Sequence, residues 1–128
     1  MDNMLNSKGV PTPMVTNLKL SGQGDDEFDN PYLYRSIVGS LQYATLRPEI
    51  SFLVNKVIQY MQFPLLTHWK CVKRILRYLT GTIDQGLLFH ASTDLRLFSF
   101  TDSDWGLDID DRRSTCGYGI YLGSNLVS

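Results

Sequence analysis

Asp102 and Asp104 stand two positions apart at the end of "LFSFTDSDW" (97–105), where Leu97, Ser99 and Thr101 alternate with Phe98 and Phe100. The alternation predicts a β-strand, and a strand ending in carboxylates is where many nucleases hold metal. If the strand continued, the two aspartates would share a face. Two-metal phosphoryl chemistry needs several carboxylates converging on ions about 3.5–4 Å apart, and Mg²⁺ prefers oxygen ligands in octahedral geometry. One strand-end pair is too little to fix two ions. Asp108, Asp110, Asp111, Arg112 and Arg113 follow in a loop whose charges largely cancel, so solvated turn chemistry is expected for Asp104 and the loop acids. His68 and His90 are unconnected and are expected to be structural or exposed. Cys71 and Cys116 have no metal-like spacing and read as two reduced thiols of an intracellular protein.

The second constellation is basic. Lys70, Lys73, Arg74 and Arg77 recur at i, i+3, i+4 and i+7 within "HWKCVKRILRYLTG" (68–81), while Val72, Ile75, Leu76 and Leu79 face the other way. No acidic side chain lies between Glu49 and Asp84, so nothing local neutralises the row. A phosphate backbone is the natural partner for such a row; the plainer alternative is the solvated face of an amphipathic helix. Trp69 and Tyr78 could stack on bases, but aromatics at helical spacing belong more often to a core. Gly24-Asp25-Asp26 has the letters of a polymerase turn but lacks the apolar strands that would flank one, so an acidic solvated loop is expected there.

The elements that must position these residues follow from local signals. With 128 residues, 43% hydrophobic and 20% charged, the chain suffices for one packed domain or two pieces of domains. Its net charge of −1 supplies no attraction by itself, so any nucleic-acid binding must come from clustering. No signal peptide is visible, and no apolar run approaches the roughly 20 residues of a membrane helix, so a soluble, intracellular protein is expected. Residues 1–30, with two prolines, three glycines and no periodicity, predict an extended arm or tether rather than a core element. Asn30-Pro31 predicts a helix start, with Tyr34, Ile37, Val38 and Leu41 as its apolar face, and "LRP" (46–48) predicts its break. A second helix is expected from Pro48, its stripe running from Ile50 through Leu53, Val54, Val57 and Ile58 to Met61, with Pro64 ending it. A third is expected after Thr67 as cap, terminated by Gly81. Beyond it the period becomes two: "GLLFH" (86–90), "LRLFSFT" (95–101), "GYGIYLG" (117–123) and "NLVS" (125–128) are strand candidates, with "GSN" as a tight turn.

Taken together, the chain resembles the Pol polyprotein of copia-type retrotransposons. The match is carried by "PTPM" (11–14), "YRSIVGSLQY" (34–43), "RPEISFLVNKV" (47–57), "HWKCVKRILRYLTGT" (68–82), "GLLF" (86–89), "DSDW" (102–105), "DDRRST" (110–115) and "GYGIYLGSNLVS" (117–128), in collinear order. The resemblance implies an α+β fold in which residues 1–30 are an extended arm like the polymerase palm exit. Residues 31–85 then look like the helical thumb and connection of a reverse transcriptase, and residues 86–128 like the opening antiparallel strands of an RNase H sheet. It implies that Asp102 matches the strand-end aspartate that helps bind Mg²⁺ in the intact parent, and it strengthens the phosphate reading of Lys70, Lys73, Arg74 and Arg77. The family's Tyr-x-Asp-Asp polymerase turn is missing, and the other RNase H carboxylates would lie beyond residue 128. The expectation is therefore a truncated fragment, inactive alone and without a bound cofactor of its own. It would bind an RNA–DNA hybrid weakly and could contact the rest of a Pol polyprotein. The alternative is a protein-interaction or scaffold module derived from a retroelement, its apolar faces serving as partner surfaces.

Overall fold

Asn30 and Pro31 open the first helix by complementary means: the asparagine satisfies a free amide, and the proline presets φ. In the computed structural model, which describes residues 8–16, 18–103, 105–106, 109–110 and 112–128, Asn30 Oδ1 accepts a hydrogen bond from the Leu33 amide at 2.9 Å. Helix α1 (Pro31–Tyr43) buries Tyr34, Val38 and Leu41. A 3₁₀ turn (Ala44–Leu46) follows, and Arg47 is extended, the conformation favoured before Pro48. Helix α2 (Pro48–Ile58) buries Ile50, Leu53, Val54 and Val57. It ends sooner than its apolar stripe suggests. Met61 lies beyond it, and Tyr60, in the following turn, is buried with its ring stacked 3.8 Å from that of His68.

Helix α3 (Leu66–Gly81) buries His68, Cys71, Val72, Ile75 and Tyr78. Its start corrects the expected Thr67 cap. Leu65 occupies the N-cap position and has no side-chain acceptor, so the free amides are satisfied from elsewhere. The Asp25 carboxylate accepts from the Thr67 amide at 2.9 Å, and His68 Nδ1 accepts from the Leu65 amide at 3.0 Å. That acceptor role leaves the ring hydrogen on Nε2, which donates to the Ser21 carbonyl at 3.0 Å. His68 is thus a fully buried, neutral clamp between the arm and α3. Gly81 also differs from its expected role. It is the last helical residue, without positive φ, and its missing Cβ instead admits Gly9: a Cβ on Gly81 would lie 3.1 Å from Gly9 Cα, and one on Gly9 2.8 Å from Gly81 Cα.

The arm is therefore not a free tether. Leu20 belongs to the buried core, and Val10, Met14, Leu18 and Phe28 pack against it. Glu27 and Leu65 form an antiparallel bridge. The Phe28 amide donates to the Pro64 carbonyl and the Leu66 amide to the Asp26 carbonyl, each at 2.9 Å. Phe28 stacks on Trp69 with centroids 4.6 Å apart. The "GDD" stretch is accordingly a built connection, one of whose aspartates caps a helix. Scattered apolar residues among prolines and glycines have no period to read, yet each fills a gap in the helical layer. Each fully buried aliphatic or aromatic side chain in that layer contributes about 1.5–3 kcal/mol.

Met1–Gln85 and Gly86–Ser128 form two separate compact units. The second is a three-stranded antiparallel sheet in the order β1 (Leu97–Ser103), β2 (Cys116–Leu122), β3 (Asn125–Leu126), completing an α+β fold. Residues 86–90 are not a strand, contrary to their alternation. The Asn125 side chain takes the partner's place there, accepting from the His90 amide at 2.7 Å and donating to the His90 carbonyl at 2.9 Å. Gly123 and Ser124 make the two-residue turn between β2 and β3. Gly123 has φ +58°, the type II′ requirement at the first turn position. The register sets Phe98 opposite Tyr121, Phe100 opposite Gly119 and Asp102 opposite Gly117. The Tyr121 ring meets Phe100 edge-on at 5.8 Å.

Candidate nucleic-acid interface

The basic row of α3 exists as a geometric feature, because the opposite face of the helix is fixed in the core. Its four members differ in surroundings. Lys70 is exposed, with the Asp25 carboxylate near enough to feel its charge. Lys73 is half-buried and makes no hydrogen bond or ion pair among the described residues. Arg74 Nη2 donates to Thr12 Oγ1 at 2.8 Å, and Arg77 Nε donates to the Lys8 carbonyl at 3.1 Å. Arg74 Nε is buried with no acceptor among the described residues. Lys70 thus faces outward and Lys73 is half-buried without a partner among the described residues, while the arm lies over the two arginines. Lys8 and Thr12 were not readable as neighbours of the row, since they sit 69 and 62 positions from their partners.

Trp69 and Tyr78 belong to the packing: Trp69 stacks on Phe28, and Tyr78 is buried with the Arg47 guanidinium 5.5 Å from its ring centroid. Arg47 also donates through Nε to Glu49 at 2.7 Å and through Nη1 to the Thr82 carbonyl at 3.1 Å, so it satisfies the C-terminal end of α3. Neither aromatic is placed to stack on a base. Asp25, which caps the other end, is held below the usual carboxylate range by the Asp26 amide and then by Thr67, with Lys70 adding to the effect. Burial pushes the Cys71 thiol up, so it is a small core side chain rather than a reactive one.

In the second unit Asp102 is exposed on β1, on the same face as Phe98, Phe100 and Tyr121. Its cross-strand neighbour is a glycine, which brings it no second oxygen ligand. Asp104 and the loop acids Asp108 and Asp111 lie outside the described residues. Among the described residues no group of three or more His, Cys, Asp or Glu side chains could hold a metal ion. One strand-end carboxylate does not fit a two-ion Mg²⁺ site. Among the described residues no helix is long and apolar enough to cross a membrane.

The chain is similar, at 46% identity over 98% of its length, to the retrovirus-related Pol polyprotein from transposon RE2 of Arabidopsis thaliana, of which it covers 9%. It belongs to the copia-type Pol polyproteins. The corresponding polyprotein of transposon TNT 1-94 from Nicotiana tabacum is 42% identical over 98% of the chain, which covers 10% of it. An uncharacterized mitochondrial protein of Arabidopsis thaliana is 44% identical over 98% of the chain, which spans 52% of that protein. The chain thus corresponds to about a tenth of the Pol polyproteins it matches, and to half of a much shorter protein. No family profile matches the chain. No solved structure matches it.

Proposed function

We propose that this chain is the segment of a copia-type Pol polyprotein in which the thumb and connection of the reverse transcriptase, residues 31–85, lead into the first strands of the RNase H domain, residues 86–128. Its own contribution in this reading is to hold an RNA–DNA hybrid, not to cut it. The observation that carries the reading is the α3 row. Exposed Lys70 and half-buried Lys73 stand on a helix whose other face is locked into the core, so their ammonium groups are offered to a phosphate backbone on a rigid support. The strand ending in Asp102 supports the RNase H likeness, with Mg²⁺ chemistry belonging to the intact parent and needing carboxylates that this site does not bring together.

The test is binding of a labelled RNA–DNA hybrid across a salt series. Each phosphate contact contributes about −0.9 to the slope of log K against log salt on B-DNA, so Lys70→Gln with Lys73→Gln should flatten the slope by about 1.8. An unchanged slope would make the row an ordinary solvated face. The same preparation should leave the hybrid intact in Mg²⁺ or Mn²⁺. Reproducible cleavage lost in Asp102→Asn would overturn the non-catalytic half of the proposal.

A second reading, a scaffold or protein-interaction module, is favoured by the exposed apolar residues of the sheet, Leu97, Phe100 and Tyr118 among them. Salt-insensitive binding to a Pol polypeptide, with no binding to the hybrid, would decide for it.

A further inference from the structure

Two arginines of the α3 row are covered by a segment that cannot neutralise them. Residues 8–16, "KGVPTPMVT", contain a lysine and no carboxylate. What they offer Arg74 and Arg77 is one hydroxyl and one backbone carbonyl, both neutral acceptors, at 2.8 and 3.1 Å. A guanidinium has five N–H donors and binds a phosphate or carboxylate through two of them at once. Here Arg74 Nε is buried and has no acceptor among the described residues, an arrangement that costs free energy wherever water is excluded. Three features nonetheless seat the segment. Val10 and Met14 pack on the core, Pro11 and Pro13 keep the chain extended, and Gly9 closes against Gly81 so tightly that a Cβ would collide with backbone.

We infer that residues 8–14 form a displaceable strap, which occupies Arg74 and Arg77 in the free protein and gives them up to a nucleic-acid phosphate backbone. The inference rests on the hybrid-binding reading above and concerns its regulation. Phosphate supplies the charge and the extra acceptors that the strap lacks, so exchange improves the pairing of both arginines. The strap loses only neutral hydrogen bonds and a small apolar contact. Binding would therefore proceed in two stages: capture by Lys70 and Lys73, then release of the strap and engagement of all four basic side chains.

The full chain carrying Gly9→Ala and Thr12→Val tests this, because the first change forces the strap away from Gly81 and the second removes the acceptor of Arg74. Tryptic cleavage after Lys8, faster than in the wild type, verifies release. The released variant should bind the RNA–DNA hybrid about tenfold to a hundredfold more tightly at 0.1 M salt, since two added phosphate contacts steepen the salt slope by about 1.8. Saturating hybrid should likewise speed cleavage after Lys8 in the wild type. If both proteins bind with the same affinity and slope, the strap does not compete and the inference fails while the hybrid-binding reading stands. If neither binds, the hybrid-binding reading fails and the strap, with nothing to yield to, fails with it.

Discussion

Single side chains decide how the first unit is held. Tyr34 is fully buried, and its hydroxyl donates at 2.8 Å to the Val57 carbonyl in the last turn of α2, which also accepts from the Tyr60 amide at 3.3 Å. Burial pushes this phenol well above its ordinary value, so it remains a neutral donor throughout the working pH range. Tyr34→Phe should cost about 0.5–1.5 kcal/mol, read from urea unfolding with the m-value unchanged. Asp25 makes a pH prediction. Its folded pKa lies below the unfolded value near 3.8, so its charge stabilises the fold above that value. The contribution is lost as pH falls through the lowered folded value. Helical content followed by circular dichroism should therefore fall more on acidification below about pH 4 for the wild type than for Asp25→Asn, the two keeping a constant offset at neutral pH. Parallel curves would mean that another carboxylate governs the acid transition. Arg47 and His68 work at the same scale, each joining segments that local periodicity leaves separate.

Among the elements, α1 and α2 follow local rules, while the ends of α3 and the turn of the sheet unit depend on contacts. Asn30-Pro31, the extended Arg47 before Pro48, and apolar residues spaced three and four apart are legible because partners within a turn of one another interact wherever the helix lies. The early end of α2 and the borrowed cap of α3 were not legible, because Tyr60 and Asp25 take their roles from His68 and Thr67 in space. The same limit holds at residues 86–90, where alternation suggested a strand but the Asn125 side chain, not a neighbouring backbone, supplies the partner. Gly123 was readable as a turn residue, and its packing raises the stakes. A Cβ there would lie 2.5 Å from the Asp94 carbonyl oxygen, at a φ of +58°. Gly123→Ala should unpair β3 from β2 and cost more than the roughly 1 kcal/mol of a strained φ alone. The check is loss of protection at the Val127 amide, which donates to Ile120 at 2.8 Å.

At the scale of the whole molecule, the two units bury their residues to very different degrees. Tyr34, Val38, Ile50, Val54, Val57, Val72 and Ile75 are fully enclosed in the first. Every residue of β1 is exposed in the second, with Phe100 at 66% and Tyr118 at 68%. A three-stranded sheet with little apolar cover has marginal stability of its own. Amides of residues 97–126 should therefore exchange with solvent much faster than those of residues 50–80. The exposed aromatic face should also drive self-association as concentration rises. Uniformly slow exchange in a dilute monomer would show that the sheet is stabilised by contacts other than these.

The sequence by itself determined the three helices, the three strands with the tight turn between β2 and β3, and the existence of a basic row opposite an apolar one. All of these rest on periodicity and on turn residues, whose physics acts over a few positions. The same collinear motifs carried the likeness to copia-type Pol polyproteins, which the 46% identity to the RE2 polyprotein bears out. Tertiary structure alone decided which basic residues stay available. Thr12 meets Arg74 across 62 positions, Lys8 meets Arg77 across 69, and Asp25 caps α3 across 42. Such contacts form because the arm buries Leu20, packs Phe28 on Trp69 and lends the Ser21 carbonyl to His68, and no pattern within the arm encodes where the helices lie.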